Sequence, residues 1–125
     1  MIYLDTHVVL WLAEGLVERL SKTARGLVEE NDLLISPIVR LELQYLFEIK
    51  RCSRASNLIL DELQSQIGLS VCDLPFDVVV GKATEITWTR DPFDRLIVAN
   101  ASCRGLRLLT KDASIRRHAK LAVWS

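Results

Sequence analysis

Ile2-Tyr3-Leu4-Asp5-Thr6-His7 begins the chain with an apolar triplet that stops at an acid. Such a triplet is too short for a helix and reads as a buried strand ending at Asp5. The residues from His7 to Glu14 then follow a helical pattern that Gly15 stops. This couplet of short apolar strand and helix recurs along the sequence. Ser21 caps a second helix reaching about Asn31, and Leu33-Leu34-Ile35 reads as a second buried strand. Ser36-Pro37 starts a third helix that runs to about Arg51. A fourth covers roughly Arg54 to Ile67 and stops at Gly68. Ser70 to Leu74 is a third strand, broken by Pro75, and a fifth helix follows from about Asp77 to Trp88. Asp91-Pro92-Phe93-Asp94 combines an Asp cap, Pro in the first turn and an acid three residues after the cap, and its helix ends at Gly105. Arg107 to Thr110 is a fourth strand, Lys111-Asp112 leads into a short helix, and Leu121-Ala122-Val123-Trp124 is the last strand. Strands alternating with helices predict an α/β fold: a mostly parallel sheet of about five strands covered by helices on both faces. No linker divides the 125 residues, so one domain over 1–125 is expected.

Composition excludes several classes. Half of the residues are apolar and 26% are charged, a globular balance, and Gly and Pro number only 5 and 3. The longest early apolar run, Val8 to Ala13, is far short of the roughly 20 residues that cross a bilayer. No basic leader precedes Ile2. A cytoplasmic protein with no membrane partner is therefore expected. Cys52, Cys72 and Cys103 are odd in number and lack C-x-x-C spacing, so they read as reduced thiols. The net charge is zero, but residues 1–100 hold 15 acids against 10 Lys and Arg, whereas residues 101–125 hold one acid against six bases. A neutral total argues against indiscriminate nucleic-acid binding, yet a basic last quarter can hold a phosphate backbone locally.

The acids carry the chemistry. In open α/β sheets ligands bind beyond the carboxyl ends of the strands, where Asp5 and Asp112 fall; each also reads as a helix cap. Glu42 lies mid-helix, where capping cannot explain it, beside Ile38, Leu41, Tyr45, Leu46 and Ile49. A carboxylate on an apolar stripe needs a cationic partner or a function. Asp94 shares its face with Ile97, Val98 and Ala101, and alternatively completes a capping box with Asp91, itself a cap. Together these acids would repel one another unless protons or a divalent cation relieve them. Oxygen ligands without His or Cys favour Mg²⁺ or Mn²⁺, and such a site suits activation of water against a phosphodiester. His7 and His118 lack paired metal spacing, no phosphate-binding glycine loop is present, and Trp11, Trp88 and Trp124 read as core.

Ile2-Tyr3-Leu4-Asp5-Thr6-His7, Glu42, Asp91 to Ala99 and Leu109-Thr110-Lys111-Asp112 together resemble PIN-domain proteins, most of all the VapC-type toxins of toxin–antitoxin pairs. The likeness covers nearly the whole chain, and the D-P-x-D-R-L-I-V-A stretch is its most specific part. It implies a Mg²⁺- or Mn²⁺-dependent endoribonuclease with strand order 3-2-1-4-5. Asp5, Glu42, Asp94 and Asp112 match the family's acidic quartet. Asp5 and Asp94 are then direct metal ligands, and Glu42 ligates the metal or orients its water. Asp91 matches a frequent extra acid, and Thr6 and Thr110 match hydroxyl positions near the site. The implied reaction is hydrolysis by a metal-activated water with a 3′-hydroxyl leaving. Lys111, Arg116 and Arg117 would hold flanking RNA phosphates. Thr89-Arg90 stand where many relatives carry Gly or His before Asp91, which alters substrate contact. The resemblance further implies a homodimer and a VapB-like antitoxin segment along the early helices, with an Arg or Lys plugging the acidic pocket. Phe47 falls outside the inward face of the third helix and is a candidate for such contact, burial under the fourth helix being its alternative.

Two other functions compete. A PIN nuclease of RNA processing or repair would need no antitoxin. A non-enzymatic phospho-acceptor receiver domain would share the size, the parallel sheet and a Thr/Lys pair. A receiver, however, needs paired acids after its first strand, where this chain has Asp5 alone, and it leaves Glu42, Asp91 and Asp94 unexplained.

Overall fold

The computed structural model describes residues 1–125. Five strands, β1 (Ile2–Leu4), β2 (Leu33–Ile35), β3 (Ser70–Val71), β4 (Leu108–Leu109) and β5 (Ala122–Val123), form one all-parallel sheet in the order β3-β2-β1-β4-β5. The expected α/β class, the parallel sheet and the 3-2-1-4-5 order are all met. Consecutive residues of β1, β2 and β4 are buried. Successive side chains of a strand point to opposite faces, so both faces of the sheet are covered.

Seven helices supply that cover: α1 (Thr6–Ala13), α2 (Lys22–Glu30), α3 (Pro37–Glu48), α4 (Ser56–Ile67), α5 (Phe76–Ala83), α6 (Pro92–Arg104) and α7 (Ala113–His118). Their starts follow local chemistry. The side chains of Asp5, Ser21, Ser36, Asp91 and Asp112 each accept a backbone N–H of the helix they precede. Gly68 and Gly105 close α4 and α6 in the left-handed conformation, at φ of 69° and 62°, where a Cβ would be strained.

Several expectations of extent need correction; the third helix ends at Glu48, and the fourth and last strands shorten to two residues each. The third strand is two residues long instead of five, because β3 is an edge strand with only Leu34 and Ile35 of β2 beside it. The fifth helix stops at Ala83, five residues before Trp88; two guanidinium hydrogen bonds from Arg95 to the Ala83 carbonyl hold that end, at 3.2 and 3.1 Å. Residues 17–19 form a short 3₁₀ turn between α1 and α2 that no sequence signal marked. The three cysteines are unpaired thiols, as read from their spacing, and no helix is long and apolar enough to cross a membrane.

The core runs through the sheet and the inner faces of the helices. Tyr3, Leu4, Ile35, Leu43, Ile59, Ile97 and Leu109 are among its fully buried side chains. Ser21 ties the far end of the sheet to this body. Its hydroxyl donates to the Trp124 carbonyl at 2.6 Å while accepting from the Ala24 N–H at 3.0 Å. Ser21→Ala removes both contacts and should lower stability by about 1–2 kcal/mol. Urea unfolding checks this, and an unchanged midpoint would show that the tie contributes nothing.

Candidate functional site

The register between β1 and β4 starts the site. Tyr3 pairs with Leu108 and Leu4 with Leu109, so the next residues, Asp5 and Thr110, come side by side at the carboxyl ends of the central strands. Thr110 Oγ1 donates to Asp5 Oδ2 at 2.5 Å, and the Thr6 N–H donates to Asp5 Oδ1 at 2.8 Å. The same Thr110 hydroxyl accepts the Asp112 N–H at 3.1 Å, which sets Asp112 two residues farther along the rim. Asp112 Oδ1 in turn caps α7 through the Ile115 N–H at 2.8 Å.

Two helices bring the other acids. From α3, Glu42 accepts a short hydrogen bond from the Thr6 hydroxyl. From α6 comes Asp94, one turn into the helix that Asp91 caps through the Phe93 and Asp94 N–H groups. Asp5, Glu42, Asp91, Asp94 and Asp112 line one cleft of about 410 Å³ together with His7, Val8, Trp11 and Lys111. Every acid singled out from the sequence is therefore in one place. Thr6 and Thr110 stand behind them, fully buried, as hydroxyl props. Lys111 reaches the cleft, but Arg116 and Arg117, on the exposed side of α7, do not line it.

The alternative explanations of these acids fare unevenly. Asp5, Asp91 and Asp112 do cap helices. Asp94 completes no capping box: the Asp91 N–H goes to Thr89 Oγ1 at 3.2 Å, and the Asp94 carboxylate accepts no hydrogen bond from the protein. Nor is Glu42 neutralised by a cation. The ion pairs of the chain are Arg54–Glu62 and Lys82–Glu85, both elsewhere. Its helical surroundings differ from expectation, however. Val39, Leu43 and Leu46 form the buried face of α3, while Leu41, Tyr45 and Ile49 are exposed. Glu42 sits at the boundary between a core face and an apolar outer face.

The electrostatics follow from this crowding. Burial is the main force raising the Asp5 carboxyl pKa, against the Thr110 and Thr6 hydrogen bonds that lower it. Burial likewise raises Glu42, opposed by the Thr6 hydroxyl and aided by the charge of Asp5. Asp94 is pushed from 3.8 up to about 7, first by burial and then by Asp91, Asp5, Asp112 and Glu42. It lacks the donors that moderate the other two.

No three side chains of the His, Cys, Asp and Glu types converge closely enough to form a finished ion cage. The donor set nevertheless suits a hard divalent cation: several carboxylates, no thiolate, and one half-buried acid with no protein donor. Like charges hold such oxygens apart until a cation offsets them.

Sequence reasoning missed the two aromatic residues of the cleft. His7 and Trp11 line it from α1, and Trp11 is partly buried instead of wholly core. Their i, i+4 spacing, which stacks both on one helix face, was the available signal.

A carboxyl whose pKa is higher folded than unfolded makes the folded state bind more protons, so stability falls as pH rises between the two values. For Asp94 that window is 3.8 to about 7. Thermal unfolding in EDTA should therefore show a midpoint that drops across this window, and Asp94→Asn should flatten the drop. An identical pH profile for the variant would show that Asp94 carries no such strain.

Comparisons with known proteins identify the family. The sequence matches the PIN domain over residues 2–121. It is 33% identical over 120 residues to Ribonuclease VapC22 of Mycobacterium tuberculosis, covering 94% of this chain and 91% of that protein. The fold matches the crystal structure of VapBC2 from Rickettsia felis bound to a DNA fragment from their promoter. That match has a TM-score of 0.69 at 22% identity and covers both chains fully. It also matches FitAcB from Neisseria gonorrhoeae, with a TM-score of 0.57 at 20% identity, over 100% of this chain and 97% of that one. The chain belongs to the PIN-domain family.

Proposed function

We propose that this protein is a divalent-metal-dependent endoribonuclease and the toxin of a VapBC-type toxin–antitoxin pair. The observation that carries the reading is the convergence of Asp5, Glu42, Asp94 and Asp112 in one cleft with no cation paired to any of them. The 33% identity to a VapC ribonuclease over nearly the whole chain gives the reaction class. A cytoplasmic location, where RNA is available as substrate, belongs to this reading.

In this reading Asp5 and Asp94 hold Mg²⁺ or Mn²⁺, with Glu42 and Asp112 beside them and Asp91 at the margin. The bound ion would offset charge on the attacked phosphate and activate the attacking water. The rest belongs to the chain's own side chains. Thr110 turns Asp5 Oδ2 and Thr6 turns Glu42 Oε1, so each acid keeps one orientation. Glu42 Oε2 accepts no hydrogen bond from the protein, which leaves it to ligate the ion or orient its water in this reading. Lys111 holds a phosphate at the cleft, and Arg116 and Arg117 hold the RNA backbone beyond it.

Partners have a surface to use. Leu41, Tyr45 and Ile49 leave an exposed apolar side along α3 next to the cleft, Phe47 is exposed on another side of the same helix, and Tyr45 stacks on Phe93 at 6.2 Å. Phe47 is not buried under α4. We assign this side to the VapB-like antitoxin and to a second copy of the chain. A titratable acidic pocket at its edge suits an antitoxin Arg or Lys.

Two measurements test the reading. Asp5→Asn and Asp94→Asn should each lower Mn²⁺-dependent RNA cleavage by several orders of magnitude without unfolding the protein. In thermal unfolding, Mn²⁺ at 100 times its dissociation constant should stabilise the wild type by about 2.7 kcal/mol and Asp94→Asn much less. Full cleavage by both variants would sink the proposed site. Light scattering at micromolar concentration should give a dimer mass that Phe47→Ser lowers. A monomer that this substitution leaves unaffected would remove the dimer.

A further inference from the structure

Lys111 is the one lysine or arginine that lines the acidic cleft, where five carboxylates surround it. A flexible ammonium in that setting should fall onto an acid. It does not: no carboxylate lies within ion-pair distance of it. Its Nζ instead lies over the ring of Trp11, 5.9 Å from the centroid. The ring faces of aromatics carry partial negative charge, so an ammonium rests there without giving up its solvated side. Trp11 is itself held in place. Its ring meets Trp124 edge-on at 6.1 Å, and the Trp124 carbonyl is fixed by Ser21. The guanidinium of Arg19, also 5.9 Å from the centroid, limits the ring further.

We propose that Trp11 is a positioning residue that keeps Lys111 off the carboxylates and presents its ammonium to an RNA phosphate at the cleft mouth. A lysine resting on Asp94 or Asp112 would neutralise the acids and compete with a divalent cation for their oxygens. Parked on the indole, the same charge leaves the acids free for the cation and stays available to the substrate. This inference rests on the reading of the cleft as a metal-dependent RNA site.

The test uses the intact protein and two readouts that do not involve turnover. Mn²⁺ binding is followed by calorimetry without RNA. Binding of a short labelled single-stranded RNA is followed by fluorescence anisotropy in EDTA at several salt concentrations. Trp11→Leu should weaken Mn²⁺ binding several-fold, and Trp11→Leu with Lys111→Gln should restore it, because the competing charge is gone. Lys111→Gln alone should weaken RNA binding and make its salt slope shallower by about 0.7, the value for one single-strand phosphate contact. Trp11→Phe, which keeps an aromatic face, should stay near wild type in both. If Trp11→Leu does not fold, NMR of the wild type decides. Lys111 methylene signals should lie upfield under the Trp11 ring current and move back on addition of RNA. Unchanged Mn²⁺ affinity in Trp11→Leu, no recovery in the double variant, or unshifted Lys111 signals would each overturn the inference while leaving the nuclease reading intact. A wild-type protein that binds neither Mn²⁺ nor RNA would remove both.

Discussion

The seam between β1 and β4 is the constraint on which the rest depends. Two parallel strands meet there with Leu4 opposite Leu109, and the chain on each side leaves the sheet at the next residue. That geometry puts the Thr110 hydroxyl against Asp5, and through the same hydroxyl it fixes the backbone of Asp112. Asp5 also starts α1, so Thr6 stands where it can hold Glu42 of α3. A slip of one residue along the seam would turn Asp5 to the opposite face and scatter the cluster. The site is thus a consequence of strand register more than of any single acid.

That cluster works against the stability of the protein that carries it. Burial and mutual repulsion raise the carboxyl pKa values of Asp5, Glu42 and Asp94 together. Hydrogen bonds moderate the strain at the first two, whereas Asp94 has none and is pushed up to about 7. A structural acid in such a place would be expected to acquire a capping bond or an arginine. Asp94 has neither, although Arg95 is its neighbour; that guanidinium is committed to the Ala83 carbonyl. Retained, unrelieved charge of this kind is characteristic of functional sites.

Much of this was legible in the sequence because the signals were local. Ile2-Tyr3-Leu4 and Leu33-Leu34-Ile35 are apolar triplets that only a buried strand accommodates, and Asp91-Pro92 and Ser36-Pro37 carry their helix starts in their own covalent chemistry. Other features were not legible because they depend on neighbours distant in sequence. The stripe Leu41, Tyr45 and Ile49 has core-like composition yet faces outward, since Val39, Leu43 and Leu46 already form the buried face of α3, which packs on α1, α4 and α6. Trp88 belongs to no helix: α5 ends at Ala83, whose carbonyl accepts from the Arg95 guanidinium of α6. Trp11 looked like a core tryptophan, and only its contacts with Trp124 and Lys111 show it at the cleft wall.

The sequence by itself determined which residue types were present and which elements they formed: short apolar strands, capped helices, and four acids placed where packing alone would not put them. Those are properties of nearest neighbours, set by hydrophobic periodicity and capping. The meeting of Asp5, Glu42, Asp94 and Asp112, the pairing of each Thr with its acid, and the separation of Lys111 from all of them were decided only by tertiary structure. Residues up to 107 positions apart contribute to one cleft. Their distances depend on the register of β1 against β4 and on how α3 and α6 pack beside it. Charge repulsion, unlike a cap, has no magnitude until those distances exist.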